Sequence, residues 1–131
     1  MKSQTTLLTM LAGLFVLAAF TLPEMNSSVP EEGEFVIPEN INAIFEKSCF
    51  GCHNSESDYQ KAKDKLMIDK LGDLKKSKLV AKLNKIGKEV SEGEMPPEKF
   101  VAKYPDRVPT DAERQALVDW ARNTVKTLTK K

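Results

Sequence analysis

The chain is short of the residues that build metal clusters and disulfide frameworks: its 131 positions include only two cysteines and one histidine. Two cysteines cannot make the dense bridging of a small secreted scaffold, and one histidine excludes a multi-histidine metal centre. Aromatic residues are few, 7% of the chain, and too scattered for a base-stacking platform. An excess of either charge is also lacking, since 20 basic against 19 acidic residues leave a formal +1. That balance gives no overall attraction to nucleic acid. The length suits one small domain with some additional chain, which excludes a multidomain enzyme.

What is present begins with an uncharged N-terminus. No charged residue occurs from Ser3 to Pro23, and Lys2 precedes the apolar run Leu7 to Phe20. A short positive region before such a run is the pattern of a secretory signal peptide, with Leu17-Ala18-Ala19 and Ala19-Phe20-Thr21 as approximate cleavage sites. Stretched to Thr5–Leu22, the run also approaches the length of a membrane anchor. Residues 1–22 are therefore read as a signal peptide or N-terminal membrane anchor. Either sends the rest of the chain to the periplasm or the outer face of the cytoplasmic membrane. Residues 23–39 follow as an acidic, proline-containing linker, in which Glu24, Glu31, Glu32, Glu34 and Glu39 face no base.

The domain is expected over residues 40–131, with helical patterning throughout. Asn40 is a good N-cap for a short helix carrying Ile41, Ile44 and Phe45 and running into Cys49. Tyr59–Leu71 reads as a lysine-rich amphipathic helix, with Leu66, Met67, Ile68 and Leu71 as its packing residues, and Gly72 ends it. Leu79, Val80, Leu83, Ile86 and Val90 mark a clearer helix. Gly93-Glu94-Met95-Pro96-Pro97 forms a stiff loop, because paired prolines cannot continue a helix. The last helix is the best signalled: Thr110 to Glu113 is a capping box, and Leu117, Trp120, Ala121, Thr124 and Leu128 follow on one face. With no hairpin signal and no repeat, the fold class is all-α. A domain of about 90 residues has a marginal core unless something completes it.

The scarce residues stand together, as Cys49-Phe50-Gly51-Cys52-His53. Thiols three residues apart on one turn share a side, and the adjoining histidine can aim its imidazole at the same object. This is the pattern for two thioether bonds to haem vinyl groups with histidine as the proximal iron ligand, a covalent haem c. A redox dithiol, a zinc site and a plain Cys49–Cys52 disulfide are the competing readings. The first lacks a βαβ context, the second lacks further ligands, and the third leaves His53 unexplained. For the sixth iron position, a second histidine is unavailable, which leaves methionine, lysine, water or an open site. Met1, Met10 and Met25 precede the domain, and Met67 reads as core packing. Met95, in the proline-stiffened loop, is the candidate ligand.

From about Asn40 to Leu128 these residues resemble a class I monohaem cytochrome c of the small bacterial type. The resemblance rests on the short helix entering Cys49–His53, the Met95-Pro96-Pro97 loop and the terminal amphipathic helix with its aromatic. It implies a small helical domain around a covalently bound haem, Cys49 and Cys52 as thioether donors, His53 and Met95 as axial ligands, and Phe45 near Trp120 where the first and last helices cross. No segment identifies the haem-propionate donors.

Ligation by histidine and methionine fills both axial positions, which favours electron transfer over catalysis. The expected function is a one-electron carrier between exported or membrane-bound redox proteins, not an enzyme. A haem-based sensor or small-ligand binder with an open sixth site is the alternative, as is a small haem subunit of a larger oxidoreductase. Tyr59–Lys88 carries ten lysines against Asp64, Asp69 and Asp73, whereas Leu22–Glu46 carries six acids and no base. The lysine-rich stretch is a docking surface for an acidic redox partner or simply a solvated helical surface.

Overall fold

The computed structural model describes residues 35–130, so the apolar N-terminus and most of the acidic linker lie outside the described residues. Five α-helices follow one another: α1 (Glu39–Ser48), α2 (Gln60–Lys65), α3 (Lys76–Ser91), α4 (Glu98–Lys103) and α5 (Asp111–Thr129). Short 3-10 turns at Ile68–Lys70 and Pro105–Arg107 connect them, and the described residues contain no strand. The all-α expectation holds. Among the described residues, no helix is long and apolar enough to cross a membrane.

The helix starts follow local chemistry. Pro38 rather than Asn40 is the residue before α1: its carbonyl accepts the N–H groups of Ile41 and Asn42, and no side chain caps the helix. α5 begins with the expected capping box, in which Thr110 Oγ1 accepts from the Glu113 N–H and the Glu113 carboxylate accepts from the Thr110 N–H. Nothing in the apolar spacing of the sequence marks α4 (Glu98–Lys103). The proline pair that ends one segment leaves Pro97 extended just before a new helix, and Glu98 in the first turn suits the helix dipole.

The stretch Tyr59–Leu71 is not one helix. α2 stops at Lys65, Leu66 is extended (φ −158°, ψ 130°), and a 3-10 turn follows. The cause is tertiary: the Ile68 N–H donates to the His53 carbonyl at 2.9 Å instead of continuing the helical ladder. The extended backbone turns Ile68 and Leu71 into the core but leaves Met67 exposed, so Met67 is not the packing residue its neighbours suggest.

α5 packs along α3 and crosses α1. Leu79, Leu83, Ile86 and Val90 of α3 meet Leu117, Val118 and Ala121 of α5, with Ile41, Ile44 and Phe45 of α1 closing the core. At the helix crossing, Phe45 and Trp120 pack edge to face, 5.6 Å between centroids at 79°. Packing reaches upstream of Asn40, since Phe35 and Ile37 rest on the core and Phe35 lies 6.2 Å from Trp120. Lys47, in the last turn of α1, reaches Glu113 at 2.5 Å, which fixes the end of α1 against the start of α5.

Candidate functional site

The pentapeptide continues the winding of α1. The Cys49 and Phe50 N–H groups donate to the Phe45 carbonyl, and those of Cys52 and His53 donate to the Cys49 carbonyl at 3.1 and 3.0 Å. Side chains just downstream hold the turn: Asn54 Nδ2 donates to the Phe50 carbonyl and Ser57 Oγ to the Gly51 carbonyl. From the other side, the Arg107 Nε donates to the Lys47 carbonyl, and the buried Ser48 hydroxyl donates to the Arg107 carbonyl at 2.7 Å. Both cysteines are half-buried and unpaired.

His53 is held at two points by one segment. Its carbonyl takes the Ile68 N–H, and its Nδ1 lies 3.1 Å from the Ala62 carbonyl and 3.2 Å from that of Leu66. A carbonyl can only accept, so Nδ1 carries a proton, and in the neutral ring the lone pair is then on Nε2. A ring N–H bound to backbone carbonyls is the arrangement that orients a metal-binding histidine. Ser55 ties the same region down, donating from its N–H and its hydroxyl to Asp69 in the 3-10 turn.

Burial pushes the Cys49 thiol up to about 12, helped by nearby Cys52 and opposed by Arg114. A thiol held protonated at neutral pH is the opposite of the depressed value a redox dithiol needs. Among the described residues, no group of three or more His, Cys, Asp and Glu side chains could hold a metal ion, so a protein-only zinc centre is absent there. The donor set that remains, two free thiols and an oriented imidazole on one turn, fits a covalently attached haem.

Met95 lies in a loop between α3 and α4. Gly93 turns the chain with φ 74°, a left-handed conformation that costs glycine little, and the Glu94 and Met95 N–H groups both donate to the Glu89 carbonyl. The Met95–Pro96 peptide is cis. The Met95 carbonyl accepts from Arg114 Nη1 of α5 at 2.9 Å. The structure thus brings Cys49, Cys52 and His53 together on one turn. It relates Met95 to them indirectly, through Arg114, whose charge also acts on Cys49. Two surface hollows lie along α3 and α5, one around Lys76 and Val80 and one around Gly87 and Ala121, and neither includes the pentapeptide or Met95.

Arg107, Arg114 and the carbonyls of Ala62 and Leu66 were not legible as site residues. The two arginines act across the fold, and a main-chain carbonyl has no side-chain signature. The only available signal was the coincidence of basic residues with the segments flanking the capping box.

A haem-binding domain family matches residues 56–123, just over half of the 131. The match begins three residues after His53 and includes Met95, Arg114 and Trp120. No curated protein and no solved structure matches the chain. The chain belongs to the haem-binding domain family.

Proposed function

We propose that the protein is an exported monohaem c-type cytochrome that carries single electrons between redox proteins. The observation that carries this reading is the His53 ring, held by two backbone carbonyls on the turn that presents Cys49 and Cys52. Cys49 and Cys52 would form the thioether bonds, His53 Nε2 and the Met95 sulfur would bind the iron, and residues 1–22 would direct export. When bound, the haem supplies a one-electron couple between ferric and ferrous iron.

The chain's own residues then have defined tasks. The Ala62 and Leu66 carbonyls keep the His53 proton on Nδ1, which fixes the ring's orientation and leaves Nε2 as the nitrogen that would ligate. Asn54, Ser57 and Arg107 hold the turn, so that neither thiol has to be ordered at the moment of attachment. A soft thioether from Met95 would favour the ferrous state and would keep outside ligands from the iron.

The test is an optical spectrum of the oxidised and reduced protein after expression with haem-attachment machinery, followed by denaturation in acidified organic solvent. Haem that stays on the chain, with low-spin spectra in both states, is the expected result. Haem that extracts completely, or a chain that acquires none, overturns the proposal.

A further inference from the structure

From the hydrogen bonding on both sides of the Met95 peptide, we infer that Arg114 is a positioning residue that holds Met95 ready for the iron. The inference rests on the reading of Met95 as the second axial ligand. The Met95 N–H is fixed to the end of α3 through the Glu89 carbonyl at 3.2 Å, and its C=O is fixed to α5 through Arg114 Nη1 at 2.9 Å. α3 and α5 are the most extensively packed helix pair, so the residue is slung between two parts of a rigid frame.

Arg114 is free for this task. It is half-buried, and among the described residues it has no carboxylate within ion-pair distance. The neighbouring Glu113 is occupied by Lys47 and by the helix cap. A charged donor on a neutral carbonyl makes a stronger bond than a neutral donor does. This matters because a thioether is a weak ligand. If the loop had to be ordered on binding, its apparent affinity for the iron would fall by the fraction of time it spends elsewhere.

The experiment uses full-length holoprotein and four substitutions, Arg114→Gln, Arg114→Lys, Met95→Ala and Leu128→Ala. The last removes apolar contacts at the far end of α5 and controls for general loss of stability. Carbon monoxide affinity of the reduced protein reports how firmly the sixth position is held, and thermal melting reports stability. Arg114→Gln is expected to bind carbon monoxide about tenfold or more tightly than the unsubstituted protein. Arg114→Lys, which keeps a charged donor, is expected to fall between the two. Leu128→Ala is expected to melt earlier with unchanged affinity. Should Arg114→Gln fail to fold, Arg114→Lys carries the comparison alone.

Arginine variants with unchanged carbon monoxide affinity, alongside a Met95→Ala variant that binds it readily, overturn the role of Arg114 while leaving Met95 as ligand. An unsubstituted protein that binds carbon monoxide as readily as Met95→Ala overturns methionine ligation itself.

Discussion

Glu113 shows how one side chain near the site serves two ends of the fold. Its carboxylate accepts from the Lys47 ammonium and from the Thr110 N–H, and these, Lys47 foremost, hold it below the usual carboxylate range. The folded value lies below the unfolded one, so the unfolded chain binds the extra proton in acid. The stabilisation is therefore complete above the ordinary carboxylate value and is lost as pH falls through the depressed folded value. Glu113→Gln, which can still serve the capping box but not the Lys47 ion pair, is expected to lose about 0.5–1 kcal/mol at neutral pH, seen as a melting temperature lower by about 2–8 °C. Melts repeated in increasingly acidic buffer should show that gap narrowing, because the unsubstituted protein loses the same interaction by protonation.

Among the elements, α3 and α5 make the frame that everything else is hung on. Leu83 is fully buried between them, and Leu83→Ala is expected to cost about 2–5 kcal/mol in chemical denaturation. Gly87 lies in the middle of α3 with room to spare: an added Cβ would sit 3.7 Å from that of Ala121, an ordinary contact. Gly87→Ala is therefore expected to raise stability by about 0.5–1 kcal/mol through helix propensity, with a later thermal melt and unchanged haem spectra.

The same elements separate what the sequence displays from what it conceals. Helices α1, α3 and α5 were legible because their apolar residues recur at helical spacing and because Thr110 and Glu113 announce a start by local hydrogen bonding. The candidate site is legible where its chemistry is contiguous, at Cys49, Cys52 and His53. The break after Lys65 was hidden because the group that wins the Ile68 N–H is a carbonyl fifteen residues upstream. Arg114 was hidden for the same kind of reason, since its acceptor is the main chain of a loop that it meets only in the folded state.

Over the whole molecule, two features bear on how the domain would work. The first is charge. Among the described residues, only Lys70 and Lys88 of the ten lysines between Tyr59 and Lys88 approach a carboxylate within 4 Å, each at 3.9 Å. Most of these lysines make no ion pair, so a small net charge coexists with a locally basic stretch of chain. We propose that this stretch, rather than being only a solvated helical surface, steers an acidic redox partner. Association measured by surface plasmon resonance should weaken steeply with salt, and Lys75→Gln, Lys76→Gln and Lys78→Gln combined should slow the on-rate more than they speed dissociation.

The second feature is size. A core of this extent is marginal alone, and a covalently held haem would add a large apolar surface to it. The attached protein is expected to melt well above a Cys49→Ser/Cys52→Ser chain that cannot form thioethers, as measured by circular dichroism. Equal melting temperatures would mean that the helical frame is self-sufficient.

The bond from the Ile68 N–H to the His53 carbonyl also supplies a clock. The Ile68 side chain is only 2% exposed and its amide proton is spent on the histidine, so deuterium can enter there only when the turn and the segment after α2 part company. The exchange rate of that single amide therefore counts how often the histidine is let go. Its slowing on haem attachment would measure the grip of the iron from the opposite side of the same residue.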